Sequence, residues 1–352
     1  VTKINNESSF IFGLCVAGAG LATGIGSAVL TKLGNPVDGG ISIACFLRDV
    51  AGSFGLHGYG ELSYLRPELF AIVLGATISS LASRKFHAVG GSSSLLRFII
   101  GIILSVGIFT FIGCPLRTGL RLAGGDPAAL PSLAGLIAGA WTGTQFLKRG
   151  FALEKCLPTT FLQGTVFHGI MVLLLVLLLM QPSFITLSKE RHAPLLASLG
   201  AGAVIGIMAQ KSKLCFIGGI RNFFLIRDFT LLYGCIFLVL GAFLANLMLG
   251  QFHFGVTIIG SSDLLWNFLS LFLVGFGSVL VGGCPFRQII LAAQGNTDSV
   301  LTLAGIAIGS SVAYNVNIAF VAGSIEMMSK IAILTGISLL LLIAFFNKPA
   351  LD

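Results

Sequence analysis

Apolar residues run through this chain in blocks of about twenty, the length an α-helix needs to cross the hydrocarbon core of a bilayer. Ten such blocks are legible, near residues 9–31, 66–84, 95–112, 127–146, 160–180, 194–210, 229–250, 264–281, 299–321 and 329–347. Four further apolar stretches, near 36–49, 113–124, 214–227 and 283–295, are too short or too rich in glycine and proline to span. They read as re-entrant half-helices or loops, tolerated at membrane depth only where protein or water satisfies their backbone groups. The pattern predicts an all-α polytopic membrane protein. The first block runs on for a full span and lacks a clear A-x-A site, so it reads as a span and not as a cleavable signal.

An internal repeat orders these elements. Gly113-Cys114-Pro115-Leu116-Arg117 recurs as Gly283-Cys284-Pro285-Phe286-Arg287, and Gly39-Gly40-Ile41 followed by Arg48-Asp49 recurs as Gly218-Gly219-Ile220 followed by Arg227-Asp228. Five spans separate equivalent helices, and an odd number reverses direction, which predicts two inverted repeats with an hourglass outline. The expected division is 1–156 for the first repeat, 157–192 for a connecting helix and loop, 193–322 for the second repeat, and 323–352 for a C-terminal span.

Composition excludes a soluble enzyme. Of 352 residues, 55% are hydrophobic and 10% charged, against roughly 25% charged in ordinary soluble chains. The mean hydropathy is +0.99, and 46 glycines suit helices that pack closely in lipid. A net charge of +8 raises nucleic acid as a partner, but no run of five basic residues exists and the arginines are dispersed among apolar segments. The basic residues also orient the chain. With the N-terminus inside, Lys3, Arg84, Lys85, Arg97, Lys148, Arg149, Lys155, Lys211, Lys213 and Lys348 fall on the inner side, and Lys32, Arg66, Lys189, Arg191 and Lys330 on the outer. That bias predicts both termini in the cytoplasm.

In Gly-Cys-Pro-x-Arg, the glycine ends a span and lets the chain turn, and proline suits the first helical position. Cysteine then falls at the N-cap, where unpaired N–H groups and the helix dipole favour an anion. Arg117 and Arg287 add fixed charge to each mouth, and Arg121, one turn on from Arg117, adds more to the first. Cys45 precedes Arg48 by three residues, and Cys215 sits in Lys-Ser-Lys-Leu-Cys-Phe. Arg48-Asp49 and Arg227-Asp228 read as structural ion pairs, and Asp126 and Asp298 as caps. Seven cysteines with no CxxC exclude a zinc or redox pair. His57, His87, His168, His192 and His253 form no ligand spacing, so neither a metal nor any other cofactor is expected.

These motifs resemble the YeeE/YedE family of sulfur-compound transporters. Gly113-Cys114-Pro115-Leu116-Arg117 with Arg121-Leu122-Ala123-Gly124-Gly125-Asp126, and Gly282-Gly283-Cys284-Pro285-Phe286-Arg287-Gln288 with Gln294-Gly295-Asn296-Thr297-Asp298-Ser299, look most like its selenium-associated YedE branch. Ala44-Cys45-Phe46-Leu47-Arg48-Asp49 with Ala51-Gly52 and Gly55-Leu56-His57 points the same way, and the likeness covers nearly the whole chain. The resemblance implies an inverted hourglass in which Cys114, Cys215 and Cys284 pass an anion by S–H···S contacts. It implies a bacterial inner membrane and a small inorganic sulfur or selenium anion as substrate. A cytoplasmic sulfur- or selenium-carrier protein is a candidate partner.

Three functions compete at this stage. The first is uptake of a small sulfur or selenium anion, thiosulfate or selenite, past Cys45, Cys114, Cys215, Cys284, Arg117, Arg121 and Arg287. The second is a membrane-bound thiol transferase, against which stands the lack of a carboxylate or histidine at catalytic spacing from any thiol. The third is a neutral-solute channel of aquaporin-like outline, for which two Cys/Arg mouths are excessive. Every acidic residue falls in a loop, a terminus or a re-entrant segment, so no mid-span carboxylate points to proton coupling.

Overall fold

A computed structural model describes residues 2–36, 40–154, 156–188, 192–255, 263–319 and 325–347, with side chains from residue 11 onward. Among the described residues it is a helical bundle. In chain order the helices are α1 Thr2–Lys32, α2 Ile43–Ser53, α3 Pro67–Ala82, α4 Ser94–Phe111, α5 Pro115–Gly124, α6 Ala129–Lys148, α7 Phe161–Met180, α8 Leu195–Ser212, α9 Phe216–Ile226, α10 Thr230–Met248, α11 Leu264–Leu280, α12 Pro285–Ala293, α13 Thr297–Asn315 and α14 Met327–Phe346. The strand pairing present joins Val89–Gly90 to Leu157–Pro158. Lys155, Lys189, Arg191, Lys348 and Gly39 lie outside the described residues.

The ten long helices stand where the apolar blocks predict them, and α2, α5, α9 and α12 are the half-helices. Among the described residues eight segments are long and apolar enough to cross a membrane, which makes the chain a multi-pass membrane protein. The long helices outside those eight are α6 and α13, whose sequences are diluted by Gly, Ala, Ser and Thr. Those small residues serve packing. A Cβ on Gly135 or Gly139 of α6 would overlap the carbonyl oxygen of Phe268 or Phe272 on α11, and one on Gly305 of α13 would overlap that of Phe98 on α4.

The same close approach joins α1 to α10 through Gly20 and Gly24 against the carbonyls of Gly234 and Leu238, and α8 to α3 through Gly206 against that of Ile72. Small residues let backbones touch, the usual device where lipid gives helices no hydrophobic reason to associate. Within each pair the residue numbers rise together, so the partners run parallel. Exchanging the halves turns the α1–α10 pair into α8–α3 and the α6–α11 pair into α13–α4. At the centre α4 meets its equivalent α11 in the opposite sense, Gly107 lying against Ser270 and Gly277 against Leu104. Equivalent helices that cross head to tail are what inverted halves require. The exchange fails for α7, which packs on α3, α12 and α13, whereas α14 packs on α11 and α4.

One expectation is corrected. The first half-helix covers Ile43–Ser53 and not 36–49, and its N-cap is Ser42, where α9 has Cys215. In this register Arg48-Asp49 corresponds to Arg221-Asn222, so the match through Gly-Gly to Arg227-Asp228 is overturned. Arg227 instead caps the C-terminus of α9 in the left-handed region, at φ 55°. The glycine pairs misled because Gly40 precedes its half-helix while Gly218 and Gly219 lie inside theirs.

Candidate functional site

Four half-helices point their N-termini at the middle of the bundle. Their caps are Ser42, Cys114, Cys215 and Cys284, all with extended backbone, and Pro115 and Pro285 stand at the first helical positions of α5 and α12. Each helix has at least nine residues, enough for unpaired N–H groups and aligned peptide dipoles to leave a positive end. The arrangement concentrates that charge in one buried region. It suits an anion.

Sulfur lines the same region. The thiol of Cys215 lies 3.7 Å from that of Cys284, and Cys215 Sγ also accepts the Gly218 N–H at 3.1 Å. In the other half, Cys114 Sγ is 3.5 Å from Ser42 Oγ. Cys45, one turn into α2, accepts from Arg117 Nη1 at 3.0 Å. Cys45 and Cys114 thus stand at the α2 and α5 ends of the first half, and Cys215 and Cys284 at the α9 and α12 ends of the second. All four are buried.

The arginines differ in how they are held. Arg287 lies beside Gly283, where an added Cβ would stand 2.9 Å from Arg287 Cγ and 3.6 Å from Cys215 Sγ. Its Nη1 is buried and makes no hydrogen bond among the described residues. Arg121 is held elsewhere: it forms a 2.6 Å ion pair with Asp126, donates to the Phe111 carbonyl at 2.7 Å and lies 4.1 Å over the Phe111 ring. Asp126 is therefore an ion-pair partner as well as the acceptor for the Ala128 N–H at 2.9 Å. Asp298 accepts from the N–H groups of Gly91 and Ser92 at 3.1 and 3.0 Å and so secures the entry to α4, while Asn296 caps its own helix through Ser299 N–H.

A buried polar chain flanks the first mouth. Arg48 donates to Asp49 Oδ1 and to the Tyr314 hydroxyl, and Arg66 Nε donates to Asp49 Oδ2 at 2.6 Å. The Asn35 amide continues it, donating to Glu68 Oε1 at 2.8 Å, which also accepts from Ser198 Oγ. Glu68 lies in the first turn of α3 with 1% of its surface exposed. The sequence marked Arg66 only as an outer basic residue and left Ser42 and Tyr314 unmarked, and Glu68, inside the 66–84 span, corrects the expectation that every acidic residue lies outside the spans. The signal available was a buried acid and arginine beside spans, each needing a partner. Cys235 faces the backbone of Leu231, Cys215 and Phe216 at 3.5 to 3.8 Å and stays out of the thiol row. Cys15 and Cys156 are exposed.

No curated protein matches the chain. Residues 211–349 match the family model described as sulphur transport, the YeeE/YedE family, and the matched stretch contains Cys215, Cys284 and Arg287. In a chain with eight apolar spans, that match supports a transporter of sulfur compounds in a membrane.

Proposed function

We propose that the protein takes up a small sulfur- or selenium-containing anion, thiosulfate or an oxyanion such as selenite, along Cys45, Cys114, Cys284 and Cys215. The observation that carries this reading is the Cys215–Cys284 contact at 3.7 Å between two half-helix N-termini. Thiols offer soft, polarisable contacts to a sulfur or selenium atom, and guanidinium groups offer charge that no physiological pH removes. Arg117 holds Cys45 in line from one side. Arg287 meets the anion on the other. Arg121, its charge met by Asp126, fixes α5 against Phe111 and shapes the first mouth without touching the anion.

In this reading the halves are 1–156 and 193–322, joined through 157–192 and followed by 323–352, and the first mouth faces outward from a bacterial inner membrane. Passage is facilitated and drawn by consumption of the anion inside, where a sulfur- or selenium-carrier protein would receive it. Proteoliposome uptake compared across thiosulfate, selenite and sulfate, with and without a pH gradient, tests this. Saturable uptake of the first two, lost in Cys284→Ala, is expected. Reduction or transfer chemistry by the purified protein would favour a thiol transferase, and uptake indifferent to charge would favour a neutral-solute channel.

A further inference from the structure

The two mouths are equivalent in backbone and unlike in charge. On α2, Arg48 Nε and Nη2 both donate to Asp49 Oδ1, at 2.8 and 2.6 Å, and Asp49 also takes Arg66. At the equivalent place on α9, Arg221 Nε and Nη2 both donate to Asn222 Oδ1, at 3.3 and 3.1 Å. The geometry is kept, but the acceptor is a neutral amide. The carboxylate has moved one step outward, because Asn222 hydrogen-bonds in turn to Asp228, which Thr230 holds through its N–H and hydroxyl at 2.9 and 2.6 Å. Those Thr230 bonds hold the Asp228 carboxyl below its usual range, so it is charged near neutral pH.

Arg221 also lies within electrostatic reach of Arg287, and the two repel. Arg287 Nη1 is buried without a hydrogen bond among the described residues, and Cys215 and Cys284 lie beside it. Arg287 stands in the first turn of α12 and Arg221 midway along α9, neither with a carboxylate partner among the described residues, an arrangement that is unfavourable when empty and favourable around a compact double negative charge. We propose that Arg221 and Arg287, with the thiols of Cys215 and Cys284, form the resting site of a doubly charged oxyanion in the second mouth, and that Asn222 keeps Arg221 available to it. This rests on the transport reading and adds charge selection at one end. In the first mouth Asp49 already engages Arg48 and Arg66, and Arg117 donates to Cys45, so Arg48 is not available to an anion in the way Arg221 is.

The test moves one carboxylate. In N222D/D228N the net charge and the hydrogen-bonding groups are kept, but the acid stands against Arg221. In proteoliposomes, half-saturation for radiolabelled thiosulfate should rise about tenfold, the scale of losing a charge-assisted hydrogen bond, while inhibition by singly charged thiocyanate should weaken less than about threefold. Arg221→Gln should reproduce this if the double variant does not fold, and Arg221→Lys should recover part of it. An unchanged thiosulfate half-saturation in folded N222D/D228N or Arg221→Gln overturns the site, as does equal weakening for both anions. Cys284→Ala separates the two readings. If it abolishes thiosulfate uptake while the Arg221 variants bind normally, this inference fails and transport stands; if it transports normally, the transport reading itself fails.

Discussion

The thiols of Cys215 and Cys284 stand 3.7 Å apart although 69 residues separate them. Each caps a half-helix, and the contact therefore ties α9 to α12 at the point where both present their positive ends. The other half puts Ser42 against Cys114 at 3.5 Å in the same place. A hydroxyl thus replaces one thiol, and the row of sulfur is shifted within the first half to Cys45.

This contact predicts a reversible block. A mild thiol oxidant should join Cys215 to Cys284, stop thiosulfate uptake, and be reversed by dithiothreitol, with the cross-link read by peptide mass spectrometry. Cys215→Ala should remove the oxidant's effect on whatever uptake remains. Equal inhibition of that variant would locate the sensitive thiol elsewhere.

Cys114→Ala and Cys284→Ala should each abolish most uptake while the folded protein stays in the membrane. Cys235→Ala should be nearly silent in transport, because its sulfur meets backbone carbonyls outside the row. Membrane abundance and radiolabelled uptake measured together decide this. Equal losses for all three would mean packing damage.

What could be read from the sequence follows from which forces are local. Cys114-Pro115 and Cys284-Pro285 declare half-helix starts because proline fixes the first helical residue wherever the chain goes. The apolar blocks declare spans for a similarly local reason. The start of α2 carries no such mark, since Ser42 caps it without a side-chain hydrogen bond and serine also frequents turns, so glycine pairs set the wrong register. Tyr314 could not be placed, since its bond to Arg48 spans 266 residues. The pairing of Arg121 with Asp126 was close in sequence, yet the motif's repetition drew attention to charge and away from its neutralisation.

Arg117 and Arg287 should respond to substitution in different ways. Arg287→Gln should raise the half-saturating anion concentration about tenfold or more, as loss of a charged donor does, with Arg287→Lys between because it keeps charge and loses the planar fork. Arg117→Gln should instead lower the maximal rate, since its Nη1 bonds to Cys45 and orients it. Uptake curves over a wide concentration range distinguish the two. If Arg287→Gln reduces folded protein in proportion to uptake and leaves affinity unchanged, the guanidinium is a structural cap.

Asp49 should prove more costly to remove than either of its arginines. Its two oxygens take Arg48 and Arg66 separately, each at 2.6 Å, and all three side chains are at most 5% exposed. Asp49→Asn takes the carboxylate from two buried cations, and breaking a buried pair costs about 3–5 kcal/mol. Arg66→Gln leaves Asp49 paired with Arg48 and removes a charge that needed burial, so its loss should be smaller. In the double variant Asp49→Asn/Arg66→Gln one of the two buried cations is gone, and stability should lie above that of Asp49→Asn alone. Thermal unfolding of the detergent-solubilised protein across the four forms measures that coupling. Additive losses would show that Arg66 does not depend on Asp49, and that the carboxylate serves Arg48 alone.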